Sequence, residues 1–296
     1  MLIAAIIAIL GLLVGSFINA VVWRLHRQSK VDHSTGSLRQ DSGSTAGQES
    51  RKSKAKEVGL SITHGRSMCP QCRHQLAPQD LVPVLSWLAL RGRCRYCRQA
   101  ISPQYPLVEL ATAGLFALSY LTLYPIPYTL ASWLNLALWL YFLTALIILA
   151  VYDARWMLLP DVVLLPAIAV AAAQLVLNLV LGQPTLATAS SLLAAAAAGA
   201  SFYAIAWLTK GKGMGGGDIK LVFLMGLLLG LASTAVALFV GFMTASLVGV
   251  GLIAAAKLKK QERPKYIAFG PFLIAGTIIA KLYGTGIVEW YLKGLY

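Results

Sequence analysis

The stretch Lys212-Gly-Met-Gly-Gly-Gly-Asp-Ile-Lys220 runs straight into residues 221–256, 36 positions without a charge. The two halves decide the fold between them. A membrane helix needs about 20 apolar residues at about 1.5 Å each, so the apolar half is too long for one span. A turn near residues 230–233 would divide it into one short span and one ordinary one. The polar half brings four glycines and an acid, Asp218, to the edge of a membrane helix. Glycine lets backbone approach backbone closely and tolerates positive φ. An acid in that place is costly and marks function by default.

The rest of the chain has the same character. Of its 296 residues, 58% are apolar and only 12% charged, where a soluble domain carries about 25% charged residues. The net charge of +14 would suit nucleic acid, but the basic residues gather in a few connections between apolar runs. That is the pattern of membrane topology, and no nucleic-acid partner is expected. The predicted fold is an all-α polytopic membrane protein with about eight transmembrane helices. Residues 2–22 form a first span, retained because no basic n-region or small-residue cleavage site flanks it. Residues 106–152 divide at Tyr124-Pro-Ile-Pro-Tyr128, residues 160–209 divide at Gly182-Gln-Pro-Thr185, and residues 267–292 form the last span.

Positive charge predicts the orientation. The first connection holds fourteen Lys or Arg residues, and the seventh holds Lys257, Lys259, Lys260, Arg263 and Lys265. The third has Arg155 and the fifth has Lys210, Lys212 and Lys220; the second, fourth and sixth have none. Odd connections are therefore expected in the cytoplasm and both termini outside. The expected domains are a first helix at 1–23, a cytoplasmic loop domain at 24–104 and a seven-helix membrane domain at 105–296. Within the loop, 30–60 is rich in Ser, Gly, Gln and Lys, cannot bury a core, and is expected to be disordered.

Residues 67–102 hold the only four cysteines, as Cys69-Pro-Gln-Cys72 and Cys94-Arg-Tyr-Cys97, 21 residues apart. Two such knuckles suit a tetrahedral four-thiolate zinc site. Two disulfides are the competing reading, which a reducing cytoplasm disfavours. Arg73, Arg93, Arg95 and Arg98 would offset the thiolate charge. A closed shell of four cysteines has no open position, so the zinc is structural, a staple for a small polar domain. His64 and His74 lie nearby and are assigned no metal.

The chain has eleven acids. Four fall at the predicted cytoplasmic ends of spans: Glu109, Asp153, Asp161 and Asp218. Helix capping would account for Asp161, which follows Pro160. It fits Asp153 poorly, since an acid at a helix C-terminus opposes the macrodipole, and it leaves the glycines before Asp218 unexplained. Two aspartates meeting at one membrane face could divide the work of general base and general acid.

Taken together, the motifs resemble the type IV prepilin leader peptidases, membrane aspartyl proteases of the GxGD type. The resemblance rests on Gly15-Ser-Phe-Ile-Asn19, the cysteine segment with Pro83-Val-Leu-Ser-Trp87, Tyr105-Pro-Leu-Val-Glu109, Asp153 with Leu159-Pro-Asp161, Gly215-Gly-Gly-Asp-Ile-Lys-Leu221 and Phe269-Gly-Pro-Phe-Leu273, in order. It implies Asp153 and Asp218 as the catalytic pair, with Asp161, Glu109 and Lys220 as supporting motif residues. It also implies cleavage of type IV prepilin or pseudopilin leaders after glycine, at the cytoplasmic face of the bacterial inner membrane. Many members with the cysteine domain also N-methylate the new terminus with S-adenosylmethionine, so the resemblance implies that activity too. No glycine-rich nucleotide fingerprint marks a donor site, and no residue is assigned to it. Gly213, Gly215, Gly216 and Gly217 would pair backbone to backbone with an unwound substrate strand. Lys220 could lower the pKa of Asp218 by proximity, but it is expected to reach the lipid headgroups. A proton-coupled transporter would also carry intramembrane acids, but these acids gather at one face. A non-catalytic scaffold would tolerate conservative changes at them.

Overall fold

The computed structural model describes residues 1–36, 67–69, 71–72, 74–123, 129–180, 185–211, 214–258 and 267–294. Most of the 30–60 segment, the breaks at 124–128 and 182–184, His64, Arg73, Lys212, Gly213, Lys259, Lys260, Arg263 and Lys265 lie outside them. Among the described residues the regular elements are helices, as the apolar composition predicts. The chain forms two compact units, Met1–Ser132 and Trp133–Tyr296. The division falls beyond residue 104, where the sequence suggested one.

In the first unit, α1 (Leu2–Gly36) packs along α3 (Gln104–Leu123). The buried stripe Ile7, Ile18, Val22 and Leu25 keeps the helical period. Between its members sit Gly11 and Gly15, whose added Cβ atoms would come within 2.6 Å of the Ala113 and Glu109 Cα atoms. Small residues let two helices approach this closely where lipid supplies no hydrophobic drive. That contact is why the helix at 104–123 belongs with the first helix. α1 also continues to Gly36, into the stretch expected to be disordered, because extending a formed helix is far easier than nucleating one. Between α1 and α3 lie the cysteine knuckles, a 3₁₀ turn at Pro78–Leu81 and α2 (Leu85–Ala89).

The second unit contains α4 (Leu130–Trp156, which begins just before it), α5 (Asp161–Val180), α6 (Thr185–Leu208), α7 (Gly216–Leu229), α8 (Leu231–Leu258) and α9 (Gly270–Lys293). Among the described residues, seven helices are long and apolar enough to cross a membrane. The eighth, α7, has 14 residues and rises about 21 Å, short of the ~30 Å hydrocarbon core. It is the short span expected from the charge-free run. It is also well enclosed: α5, α6, α8 and α9 all contact it, and Leu221, Val222, Leu224 and Met225 are fully buried. Gly230 makes the break from α8. Its φ of 74° lies where residues with a Cβ are strained, and the Ser190 hydroxyl accepts the Leu231 N–H at 3.0 Å to begin α8.

Candidate active site

The second unit gathers four helix ends in one place. α4 stops when Met157 turns to φ 53°, its N–H still bonded to the Asp153 carbonyl at 2.8 Å. Pro160 then opens α5, whose first residue is Asp161. Lys220, in the first turn and a half of α7, bridges both oxygens of Asp161 at 2.8 Å, which brings the α7 start beside the α5 start. The α9 start joins them because the Gly270 N–H bonds to Asp153 Oδ2 at 2.9 Å.

Asp153 and Asp218 meet in this cluster, close enough that the charge of one is felt at the other. Asp153 is buried, 5% exposed, and Asp218 is partly exposed. Each carboxylate is held by one glycine N–H. The Asp153 donor is Gly270, and the Asp218 donor is Gly215, at 3.3 Å from Oδ2. The Gly215–Asp218 contact has the form of a helix N-cap, with an acid at N3 reaching back to the residue before the helix. The capping reading therefore applies to Asp218, whereas the Asp161 carboxylate at the α5 start is bonded to Lys220. Capping through Oδ2 does not exclude a chemical role for the same carboxylate.

Three expectations change. Lys220 does not simply extend toward headgroups; it forms an ion pair with Asp161, 59 residues earlier in the chain. Gly217 is not open to a strand: a Cβ there would lie 2.9 Å from the Leu159 Cβ, so its smallness admits that leucine. Gly215 spends its N–H on Asp218. Gly216 remains exposed, and a Cβ on it would meet nothing within 4 Å. Glu109 belongs to the first unit, where it is buried and accepts the Val84 N–H at 2.7 Å. It pins the stretch between the two knuckles to α3, and Asn19 of α1 ties that helix to the start of α3 by donating to the Tyr105 carbonyl at 3.1 Å. The residue that sequence reasoning left without a role is Gly270. A Gly-Pro pair at a helix start was its signal, but a backbone donor leaves no mark in a side-chain pattern.

In the first unit, the four cysteine sulfurs lie within 4.8 Å of one another, and Cys69 Sγ is 3.9 Å from Cys97 Sγ. Ligands at about 2.3 Å in a tetrahedron sit about 3.8 Å apart, so a modest contraction closes the site on a metal. Each knuckle is a tight turn closed by one antiparallel bridge, Met68 to Gln75 and Arg93 to Ala100. Inside the turns, the Cys69 N–H donates to His74 O and the Cys94 N–H to Gln99 O. All four cysteines are free of disulfides. Burial pushes the Cys69 thiol up, but the N–H groups of Cys72 and Gln71 outweigh it and bring it down to about 7. At Cys97 a Gln99 N–H favours the thiolate, yet desolvation and the three neighbouring sulfurs push it up to about 11. Four thiolates this close would repel one another, and a cation among them would relieve that.

Of the arginines expected to neutralise that charge, Arg95 instead pairs with Asp80 at 2.7 Å. The Tyr96 hydroxyl donates to the same carboxylate at 3.2 Å, and the His74 ring lies 3.7 Å from the Tyr96 ring. Burial would raise the Asp80 carboxyl, but Arg95, the Ala77 N–H and Tyr96 hold it below the usual carboxylate range.

Comparison with known proteins agrees with this arrangement. Residues 9–123 match the Bacterial Peptidase A24 N-terminal domain, and residues 140–250 match the Type IV leader peptidase family. The first match lies within the first unit, and the second contains both aspartates. Among the most similar relatives, a protein of Aeromonas hydrophila is 34% identical over 97% of this chain and 93% of its own length. One of Bacillus subtilis is 38% identical over 79% and 88%, and one of Pseudomonas aeruginosa 32% identical over 96% and 92%. Each is named a prepilin leader peptidase/N-methyltransferase. No solved structure matches the chain.

Proposed function

The chain belongs to the type IV leader peptidase family, and from that footing we propose that Asp153 and Asp218 are its catalytic pair. Membership makes the chain a membrane endopeptidase that removes prepilin leaders and N-methylates the new terminus. The observation that carries the assignment is the meeting of the two carboxylates at the cluster of helix ends, each steadied by a glycine N–H. One carboxylate takes a proton from water as the water attacks the scissile carbonyl. The other gives a proton to the leaving amine. No covalent intermediate is required. The peptide bond of a helical substrate is shielded, so the substrate must be unwound first. Gly216 is where its strand would lie against exposed backbone.

The site faces the cytoplasm of the inner membrane, and both termini lie outside; the confinement of basic residues to alternate connections supports this. The four cysteines hold a structural zinc, which ties the two knuckles together and supplies no chemistry. S-adenosylmethionine supplies the methyl group in the second reaction. The substrates are type IV prepilins or pseudopilins lying in the bilayer.

The test is a purified protein in detergent, incubated with a type IV prepilin with and without S-adenosylmethionine, with product masses measured. Wild type releases the leader and adds a methyl group only with the donor. Asp153→Asn and Asp218→Asn each abolish release while the protein remains folded and inserted. Cleavage at the wild-type rate by either variant removes that residue from the pair.

A further inference from the structure

We propose that Gly270 is a positioning residue for Asp153, required because its missing side chain is the space the carboxylate occupies. The inference rests on Asp153 being catalytic. The Gly270 N–H points at Asp153 Oδ2 from 2.9 Å inside the protein. A Cβ on Gly270 would stand 2.6 Å from that same oxygen, 3.1 Å from Cγ and 3.5 Å from the Asp153 Cβ. Donor and void therefore belong to one residue and address one carboxylate.

The atom that must yield on substitution decides the consequence. At Gly276, further along α9, an added Cβ would collide with the Ala237 carbonyl oxygen, and at Gly241 of α8 it would meet the Leu273 Cα at 3.3 Å. Those are backbone atoms, so a side chain at either position would have to push α8 and α9 apart. At Gly270 the obstacle is the far end of an aspartate side chain, which turns about its own χ angles. An alanine there is tolerated by the fold, and the carboxylate is what moves. Ordinary contact begins near 3.4 Å, so Oδ2 must shift by roughly 0.8 Å and lose its aim at the donor. A displacement on the order of 1 Å in a reacting group costs about 10²-fold in rate.

Gly270→Ala is therefore expected to insert and fold, to change KM for a type IV prepilin by less than about threefold, and to lower kcat by about 10²-fold. A packing defect would instead lower the folded fraction and leave kcat per folded molecule unchanged. Asp153→Asn is assayed in parallel. If Asp153→Asn is inactive and Gly270→Ala keeps kcat within about threefold of wild type, or loses only KM, the positioning role is overturned and the catalytic pair stands. If Asp153→Asn is active, the catalytic pair is overturned and the positioning role goes with it. Should Gly270→Ala fail to fold, it is combined with Asp153→Ala, which removes the obstructing carboxylate. A folded double variant supports the inference, and one that still fails to fold makes Gly270 a packing residue and overturns it.

Discussion

Asp161 and Lys220 hold the α5 and α7 starts together, and the strength of that hold can be worked from their surroundings. The ammonium meets both carboxylate oxygens at 2.8 Å, good geometry for a lysine. The side chains remain 41% and 52% exposed, so water screens most of the attraction. Exposed pairs contribute about 0.2–1 kcal/mol, and the two-oxygen contact places this one near the upper end. About 1 kcal/mol is roughly a fivefold change in the population of the correctly docked α7 start. Asp161→Asn and Lys220→Gln are each expected to lower kcat on a prepilin by no more than about fivefold. A melting point falls about 2–4 °C for such a loss in a domain of this size. The effect should shrink in 0.5 M salt, where screening over a few ångströms begins to compete. The exchange Asp161→Lys with Lys220→Asp should recover most of what either single change loses. The assay is leader release in detergent at two salt concentrations, with a thermal melt of each variant. A loss of 10²-fold or more in Lys220→Gln, unrecovered by the exchange, would refute a bracing role and put Lys220 in the chemistry.

The remaining predictions concern the first unit. Cys→Ser at Cys69, Cys72, Cys94 or Cys97 lowers bound zinc from one equivalent toward none, measured by elemental analysis of the purified protein, and makes residues 67–102 sensitive to protease; unchanged metal content would count against the four-thiolate site. Asp80 sits below the usual carboxylate range, so its contribution is complete above that range and is lost as pH falls through its lowered value. Asp80→Asn should therefore speed amide exchange around residues 77–81 at neutral pH, and a variant indistinguishable from wild type there would show that the Arg95 and Tyr96 contacts hold nothing.

Much of the site was legible because its ingredients are local. Hydropathy reports each span wherever the span ends up, and the division at Gly230 followed from the length of the charge-free run. The cysteine spacing reports a metal site because each CxxC is one tight turn. Asp153 and Asp218 stood out because acids are few and costly in such a chain. What escaped notice joins distant positions. Lys220 could have gone to headgroups or to any acid at its face; only the docking of α7 against α5 selects Asp161. Gly217 and Gly215 suited a substrate strand on composition, but the Leu159 side chain and the Asp218 carboxylate had already taken the space of one and the N–H of the other.

By itself the sequence determined that this protein is a bundle of membrane helices with a thiolate knuckle domain and a pair of aspartates at span ends. Those properties depend on the transfer free energy and turn geometry of short stretches, which need no partner. Tertiary structure alone decided that the helix at 104–123 belongs with α1, that the short helix α7 is packed by four others, and that Gly270 faces Asp153. Each of these depends on how closely two backbones approach across more than a hundred residues or within a crowded bundle. That distance is set by packing and leaves no trace in composition.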